Sequence, residues 1–244
     1  MAGVEISQLC KQFRIGDQIV TAVNNASAAI ADGSFTVIVG KSGCGKTTLL
    51  RLLGGLEQAT AGRIRWAAAA GAVPPKIGFV FQEPRLMPWL TVFENMAFSL
   101  DRSLPPAVVE NLVLPTLRQL GLESFRDAYP AHLSGGMAQR VSLGRTLCFQ
   151  PEVILMDEPF GALDYFTRKK LQREIMELFL SQRKTLILVT HDVTEAIFLA
   201  QTVLVMDAGS LIREIPVPLP YPRAPASPGF LQIQAEILDA LGGL

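Results

Sequence analysis

Phe35-Thr36-Val37-Ile38-Val39 runs directly into Gly40-Lys41-Ser42-Gly43-Cys44-Gly45-Lys46-Thr47, and that into Thr48-Leu49-Leu50-Arg51-Leu52-Leu53 before Gly54-Gly55. The first stretch is apolar and β-branched and reads as a buried strand; the last reads as a helix ended by glycine. Between them lies the spacing G-x-x-x-x-G-K-[ST]. In it glycines let backbone N–H groups close around a phosphate, the lysine reaches the terminal phosphates, and the threonine hydroxyl holds Mg²⁺. Strand, glycine loop and helix in this order confine the chain to an α/β fold with a phosphate-binding loop.

A second glycine motif follows about ninety residues later, Leu133-Ser134-Gly135-Gly136-Met137-Ala138-Gln139-Arg140. Ser134 can cap the helix after it, and a helix N-terminus offers unpaired N–H donors to an anion. Alone, Ser-Gly-Gly is an ordinary flexible turn. One nucleotide rarely needs two such cradles from one chain, so the pair points to a site shared between two copies. Two further apolar runs end in polar residues: Val153-Ile154-Leu155-Met156 before Asp157-Glu158-Pro159, and Thr185-Leu186-Ile187-Leu188-Val189-Thr190 before His191-Asp192. Both read as buried parallel strands, and ligands bind at the C-terminal edge of such sheets. Asp157 is then placed to hold Mg²⁺ through water and Glu158 to take a proton from an attacking water. A strand-end turn with two solvated acids is the alternative, and the phosphate loop decides against it.

Together these residues resemble the ATP-binding subunit of an ABC transporter, over roughly 4–214. In that family the Leu-Ser-Gly-Gly-x-x-Gln-Arg segment of one subunit closes over the ATP held by the other. Two stretches resemble the importer ATPases of the nitrate, sulfonate and taurine group. They are Val80-Phe81-Gln82-Glu83-Pro84-Arg85-Leu86-Met87-Pro88-Trp89-Leu90-Thr91-Val92 and Met156-Asp157-Glu158-Pro159-Phe160-Gly161-Ala162-Leu163-Asp164. The resemblance implies a P-loop nucleotide-binding core with a mostly parallel sheet (1–82 and 150–214) and an N-terminal antiparallel β subdomain. It also implies an inserted helical subdomain (83–149) and a tail (215–244).

Residue by residue, the resemblance implies that Phe13 stacks on adenine, with Ala22 nearby. Gly40, Lys41, Ser42, Gly43, Cys44, Gly45, Lys46, Thr47 and Thr48 hold the nucleotide, and Thr47, Gln82 and Asp157 meet Mg²⁺. Glu158, Gln82 and His191 are implied to be catalytic, with His191 contacting the γ-phosphate and orienting water. Ser134, Gly135, Gly136 and Gln139 would reach the partner's ATP, and Ala162, Leu163 and Asp164 would cross the dimer interface. Asp164 also reads as the cap of a helix from Tyr165. Lys41 stands where proline is frequent in the family, and Ser34 where glutamate is frequent.

The implied partners are Mg·ATP, a second ATPase subunit (a copy or close paralogue), an integral membrane permease and, indirectly, an external solute-binding protein. The implied cargo is nitrate-, sulfonate- or taurine-like. A non-transport ABC ATPase acting on a ribosome, DNA or a membrane scaffold is the alternative. Such proteins often carry two ATPase units or long coiled-coil inserts, and the sequence shows neither.

Charge bears on the alternative: 22 basic and 22 acidic residues cancel, whereas nucleic-acid binders tend to a basic excess or stripe. Arg168-Lys169-Lys170 with Arg173 reads as a solvated helix face beside Leu171, Ile175 and Leu178. No nucleic-acid partner is expected. Although 49% of residues are hydrophobic, no stretch approaches the ~20 uninterrupted apolar residues of a membrane span. Met1-Ala2-Gly3-Val4-Glu5 lacks a basic segment followed by an apolar one, so no secretory signal is expected and the chain belongs at the cytoplasmic face. Cys10, Cys44 and Cys148 have no metal spacing and read as reduced thiols.

Short antiparallel strands are expected at 4–9, 19–23 and 27–30, and an Ala-rich connection at 67–75. Thr91 and Glu94 have capping-box spacing, so a helix starts there. Val109, Leu112, Val113, Leu117 and Leu120 continue a helical face that Pro115 kinks or splits and Gly121 ends. Pro84 and Pro88 leave Leu86, Met87 and Trp89 in an irregular apolar segment, either a groove for a short helix of a membrane partner or part of a core. After Pro216, Pro218, Pro220, Pro222, Pro225 and Pro228, an apolar period at Phe230, Ile233, Ile237 and Leu241 marks a helix that is a packing arm or a partner contact.

Overall fold

Where the sequence marks three short strands, one long hairpin forms: β1 (Val4–Ile15) and β2 (Gln18–Ile30) pair antiparallel from Val4–Ile30 to Ile15–Gln18. Its register shifts after Ile6, Leu9 and Lys11, and each bulge resets the alternation that reveals a strand in sequence. The computed structural model describes residues 3–67, 74–161, 163–182 and 184–242. Most of the expected connection at 67–75 lies outside them. In chain order there follow β3 (Phe35–Val39), α1 (Lys46–Leu53), β4 (Ala61–Trp66), β5 (Ile77–Val80), α2 (Val92–Ala97) and α3 (Pro106–Gln119). Then come α4 (Gly135–Cys148), β6 (Val153–Asp157), α5 (Tyr165–Gln182), β7 (Thr185–Thr190), α6 (Val193–Leu199), β8 (Thr202–Asp207), β9 (Ser210–Pro216) and α7 (Pro228–Ala240). The class is α/β, with mostly parallel central strands and an N-terminal antiparallel sheet.

The chain forms two compact units, Met1–Pro75 with Ser181–Leu244, and Lys76–Leu180. In the first, β1 lies between β2 and β4, while β3 lies between β7 and β8, parallel to both, with β9 antiparallel to β8. β3 and β7 are buried at every position, which is why both read as unbroken apolar runs. Val39 pairs with Thr190, so the two strands end level. Gly40 and His191 leave them side by side, at the edge where parallel sheets bind ligands.

In the second unit β5 and β6 are parallel, and Val80 pairs with Met156. That register brings the segment at Gln82 and the Asp157-Glu158 pair to one edge. Around them, α2 starts at the expected capping box: Glu94 N donates to Thr91 Oγ1 at 3.2 Å and Thr91 N to Glu94 Oε2 at 2.7 Å. α3 runs through Pro115 without being split, and Thr116 Oγ1 donates to the Leu112 carbonyl at 3.1 Å in the same turn. α5 buries Leu171, Ile175 and Leu178 and turns Lys170 and Arg173 to solvent, whereas Arg168 and Lys169 of the same expected face are half-buried.

Candidate functional site

The phosphate loop is closed by its own lysine. Lys46, 4% exposed, donates from Nζ to the carbonyls of Gly40 and Lys41, both at 2.9 Å, so its ammonium is held inside the cradle. Gly45 caps α1 with φ 105°, a left-handed conformation that costs other residues roughly 1–2 kcal/mol. A Cβ there would also stand 2.0 Å from the Ala22 carbonyl oxygen. This contact fixes the hairpin carrying Phe13 against the loop. Gly43, at φ 80°, has open space where a Cβ would go. Gly45→Ala is therefore expected to lose ATP binding and much thermal stability, whereas Gly43→Ala costs only the backbone strain, about 1–2 kcal/mol; thermal unfolding with a nucleotide titration checks both. Cys44 is buried in the same turn, and the Cys148 thiol, also buried, is pushed up to about 11 by desolvation. Neither is an exposed, ready nucleophile.

Phe13 is half-buried on β1 opposite Val20. Lys11 Nζ sits 4.6 Å from its ring centroid while pairing with Glu57 at 3.0 Å and donating to the Gln58 carbonyl at 2.9 Å. One face of the ring is thus taken by a tethered cation, a feature the sequence reading missed because Lys11 has no motif. His191 is exposed between Thr190 and Asp192, whose side chains are bonded into the first turn of α6.

In the other unit Asp157 is buried at the end of β6 and Glu158 follows it in a left-handed conformation, φ 42°. Such a backbone costs roughly 1–3 kcal/mol in a non-glycine residue and gathers at functional positions. Gly161 N donates to the Glu158 carbonyl at 3.2 Å. A Cβ on Gly161 would lie 3.8 Å from Gln82 Nε2 and 3.9 Å from Glu158 Oε2. The amide and the carboxylate therefore both lie beside Gly161, at ordinary contact distance from where a methyl would stand.

Ser134 caps α4 as expected, accepting from Met137 N at 3.3 Å, and Ser134 and Gly135 are exposed. Gly136 is buried, with Thr167 Cγ2 only 2.2 Å from where its Cβ would be. Gln139 turns inward: it is 3% exposed and donates to the Phe81 carbonyl at 3.2 Å, tying α4 to the residue before Gln82. Asp164 caps α5, accepting from Phe166 N at 3.0 Å and Thr167 N at 3.1 Å. Hydrogen bonds from Thr167, then Phe166, hold its carboxyl below the usual range. Leu163 is buried, and Ala162 lies outside the described residues.

Thr47 in the first unit carries a hydroxyl, and Asp157 and Gln82 in the second carry a carboxylate and an amide oxygen; each is a hard oxygen donor of the kind that Mg²⁺ takes. Among the described residues no group of three or more His, Cys, Asp or Glu could cage a metal. Few protein ligands, supplemented by water and phosphate, is the usual manner of Mg²⁺.

This second unit also has an apolar cavity of about 490 Å³, walled by Phe79, Phe81, Met87, Phe98, Phe149 and Arg145 among others. Arg145 donates to the carbonyls of Arg85 and Pro84, both at 2.9 Å, holding the irregular segment open. Of the three apolar residues the sequence placed in that segment, Met87 lines the cavity, whereas Trp89 stands 70% exposed outside its lining. Phe98 and Phe149, at helix ends far apart in sequence, gave no signal.

The family model described as ABC transporter matches residues 23–161. The aliphatic sulfonates import ATP-binding protein SsuB of Bacillus cereus is 40% identical, over 99% of this chain and 97% of its own length. SsuB 2 of Pseudomonas syringae pv. tomato is 43% identical, over 91% and 92%. Among solved structures, the dimeric post-hydrolysis state of the ATP-binding cassette MJ0796 bound to ADP and Pi matches with a TM-score of 0.79 and 31% identity. That match spans 88% of this chain and 98% of that one.

Proposed function

The chain belongs to the ABC transporter family as an ATP-binding, ATP-hydrolysing part, and from that premise we propose that it dimerises around two Mg·ATP to drive uptake of a sulfonate-, taurine- or nitrate-like anion through a separate membrane permease. Uptake rests on the 40% identity to a sulfonate-import ATP-binding protein along almost the whole chain. Hydrolysis rests on the groups that the two level strand pairs deliver to their C-terminal edges.

In this reading the phosphate loop from Gly40 to Thr48 wraps the phosphates, and Lys46 exchanges its two loop carbonyls for phosphate oxygens. Phe13 offers its second face to adenine. Thr47, Gln82 and Asp157 would hold Mg²⁺, which neutralises charge on the phosphates when bound. Glu158 takes a proton from water as its oxygen attacks the γ-phosphorus and the bond to ADP breaks, and His191 orients that water. The exposed Ser134-Gly135 end of α4, with Gly136, completes the partner copy's site. Gln139 serves from behind, by anchoring α4 to Phe81. Leu163 and Asp164 shape the crossing to the partner, with Ala162. ATP favours the closed dimer by contacts that ADP lacks, a two-state element biased by differential binding.

No described helix is long and apolar enough to cross a membrane, and the chain sits peripherally beneath its permease. The apolar cavity receives a short permease helix. Phe98→Asp is expected to leave basal hydrolysis within about twofold but to weaken permease binding about thirtyfold or more, the loss of one central apolar anchor. ATPase assays of the chain alone and with its reconstituted permease separate the two effects.

Deleting the chain from its host and following uptake of labelled ethanesulfonate, taurine and nitrate tests the whole reading. Loss of one of these uptakes is expected. Unchanged uptake of all three, with the chain sedimenting on ribosomes, would move the assignment to the non-transport class.

A further inference from the structure

α6 is only two turns long and follows His191-Asp192 directly. A helix this short does not persist on its own hydrogen bonds; the burial of Glu195, Ala196, Ile197, Phe198 and Leu199 holds it in place, and the bonds at its two ends add direction and register. At its first turn Asp192 Oδ1 accepts from Thr194 N at 2.8 Å and Glu195 N at 3.2 Å. The Thr190 hydroxyl donates to the buried Glu195 carboxylate at 2.8 Å and accepts from Asp192 N at 3.1 Å. His191 thus stands between two residues tied to α6, and a shift of α6 along its axis carries the His191 backbone with it.

At the last turn the carbonyls left without helical partners are met from the C-terminal segment. Arg223, 6% exposed, donates to the Ile197 carbonyl at 2.5 Å and also to that of Ala200. Its other nitrogens reach Val217 O at 3.2 Å and Leu219 O at 3.1 Å. The Tyr221 hydroxyl donates to the Leu199 carbonyl, and the guanidinium lies 4.1 Å from the Tyr221 ring centroid. A cation at a helix C-terminus is favoured by the helix dipole, and a planar fork fixes direction as well as distance. α7 continues the segment: Gln234 Nε2 reaches Thr194 Oγ1, back in the first turn of α6, at 3.5 Å. At the far end of α7 a Cβ on Gly242 would stand 3.6 Å from Lys41 Nζ of the phosphate loop.

We infer that Arg223 and Tyr221 are positioning residues for His191: the segment from Val217 to Gly242 is an internal brace that sets α6, and through it the histidine, in register with the phosphate loop. The inference rests on the reading of His191 as the γ-phosphate contact. Hydrolysis then depends on a side chain that touches neither ATP nor any residue that does.

The full chain carrying Arg223→Ala, Arg223→Lys, Tyr221→Phe or His191→Ala is compared in steady-state hydrolysis, with turnover normalised to ATP-binding sites titrated in the same sample. Misplacing a reacting group by about 1 Å can cost about 10²-fold in rate. Arg223→Ala is therefore expected to lower kcat per site at least about tenfold while the ATP Kd moves less than about twofold. Arg223→Lys keeps the charge but not the fork and should fall between, with Tyr221→Phe shifted less in the same direction.

An arginine that only held the fold together would reduce the number of sites and leave kcat per site unchanged, which overturns the inference. If Arg223→Ala yields no folded protein, Arg223→Lys and Tyr221→Phe decide by the same criterion. Parental turnover in His191→Ala would overturn the role of the histidine itself. Loss in His191→Ala beside unchanged kcat in the Arg223 variants overturns the brace alone.

Discussion

Glu158→Gln is expected to lose about 10²–10⁴-fold of ATP turnover, the usual contribution of a general base, while binding ATP at least as tightly as the parent. The amide has the size of the carboxylate and can keep the same place near Gly161, so geometry is kept and only basicity goes. Removing a negative charge near the phosphates works against neither Lys46 nor the loop. With hydrolysis blocked, the ATP-bound state accumulates. The same variant with Mg·ATP is then expected to double its apparent mass in size-exclusion chromatography, because the exposed Ser134-Gly135 end of α4 closes over a second copy's nucleotide. Phosphate release and the mass shift are separate readouts. Substantial residual turnover would move the base elsewhere, and a slow but strictly monomeric protein would keep the base while removing the shared site.

What could be read from the sequence was what depends on neighbours along the chain. The phosphate loop, the Thr91 capping box, the Ser134 and Asp164 caps and the fully buried strands are each written within a few residues, so spacing and apolar period reveal them. The hairpin was read as antiparallel but only in three short pieces, because bulges after Ile6, Leu9 and Lys11 interrupt the alternation on which strand reading relies. Pro115 predicted a kink or a split, and the helix continues without a split because one missing N–H is small beside the burial of Val113 and Leu117 on the same face. Gln139, read as a contact to a partner's ATP, has its own side-chain bond to Phe81, and no local pattern announces so distant a carbonyl. Arg223 shows the same limit more strongly. Four of its bonds go to backbone carbonyls, two of them more than twenty residues away, and a buried arginine whose partners are main chain leaves no trace in composition or period.

Lys46→Ala should weaken ATP binding by about one to two orders of magnitude, a loss of a different kind from that of Glu158→Gln. Hydrogen bonds from a charged donor contribute about 1.5–3 kcal/mol each, and about 1.4 kcal/mol is tenfold in affinity. The lysine is already desolvated, 4% exposed and held by the Gly40 and Lys41 carbonyls at 2.9 Å. When phosphate arrives it exchanges partners without a second desolvation, so nearly all of the new interaction appears as affinity. Its removal also strands those two carbonyls, and water filling the space is expected to loosen the turn around Cys44. Lys46→Arg offers a test of shape against charge: a fork on a longer stem cannot satisfy two carbonyls placed for a single ammonium, so it should restore little binding. Equilibrium titration with a fluorescent ATP analogue, with and without Mg²⁺, gives the answer directly. Parental affinity in Lys46→Ala would mean that the loop backbone alone carries the phosphates, and the ammonium would then be left with a role in the transition state, visible as a fall in kcat at saturating ATP.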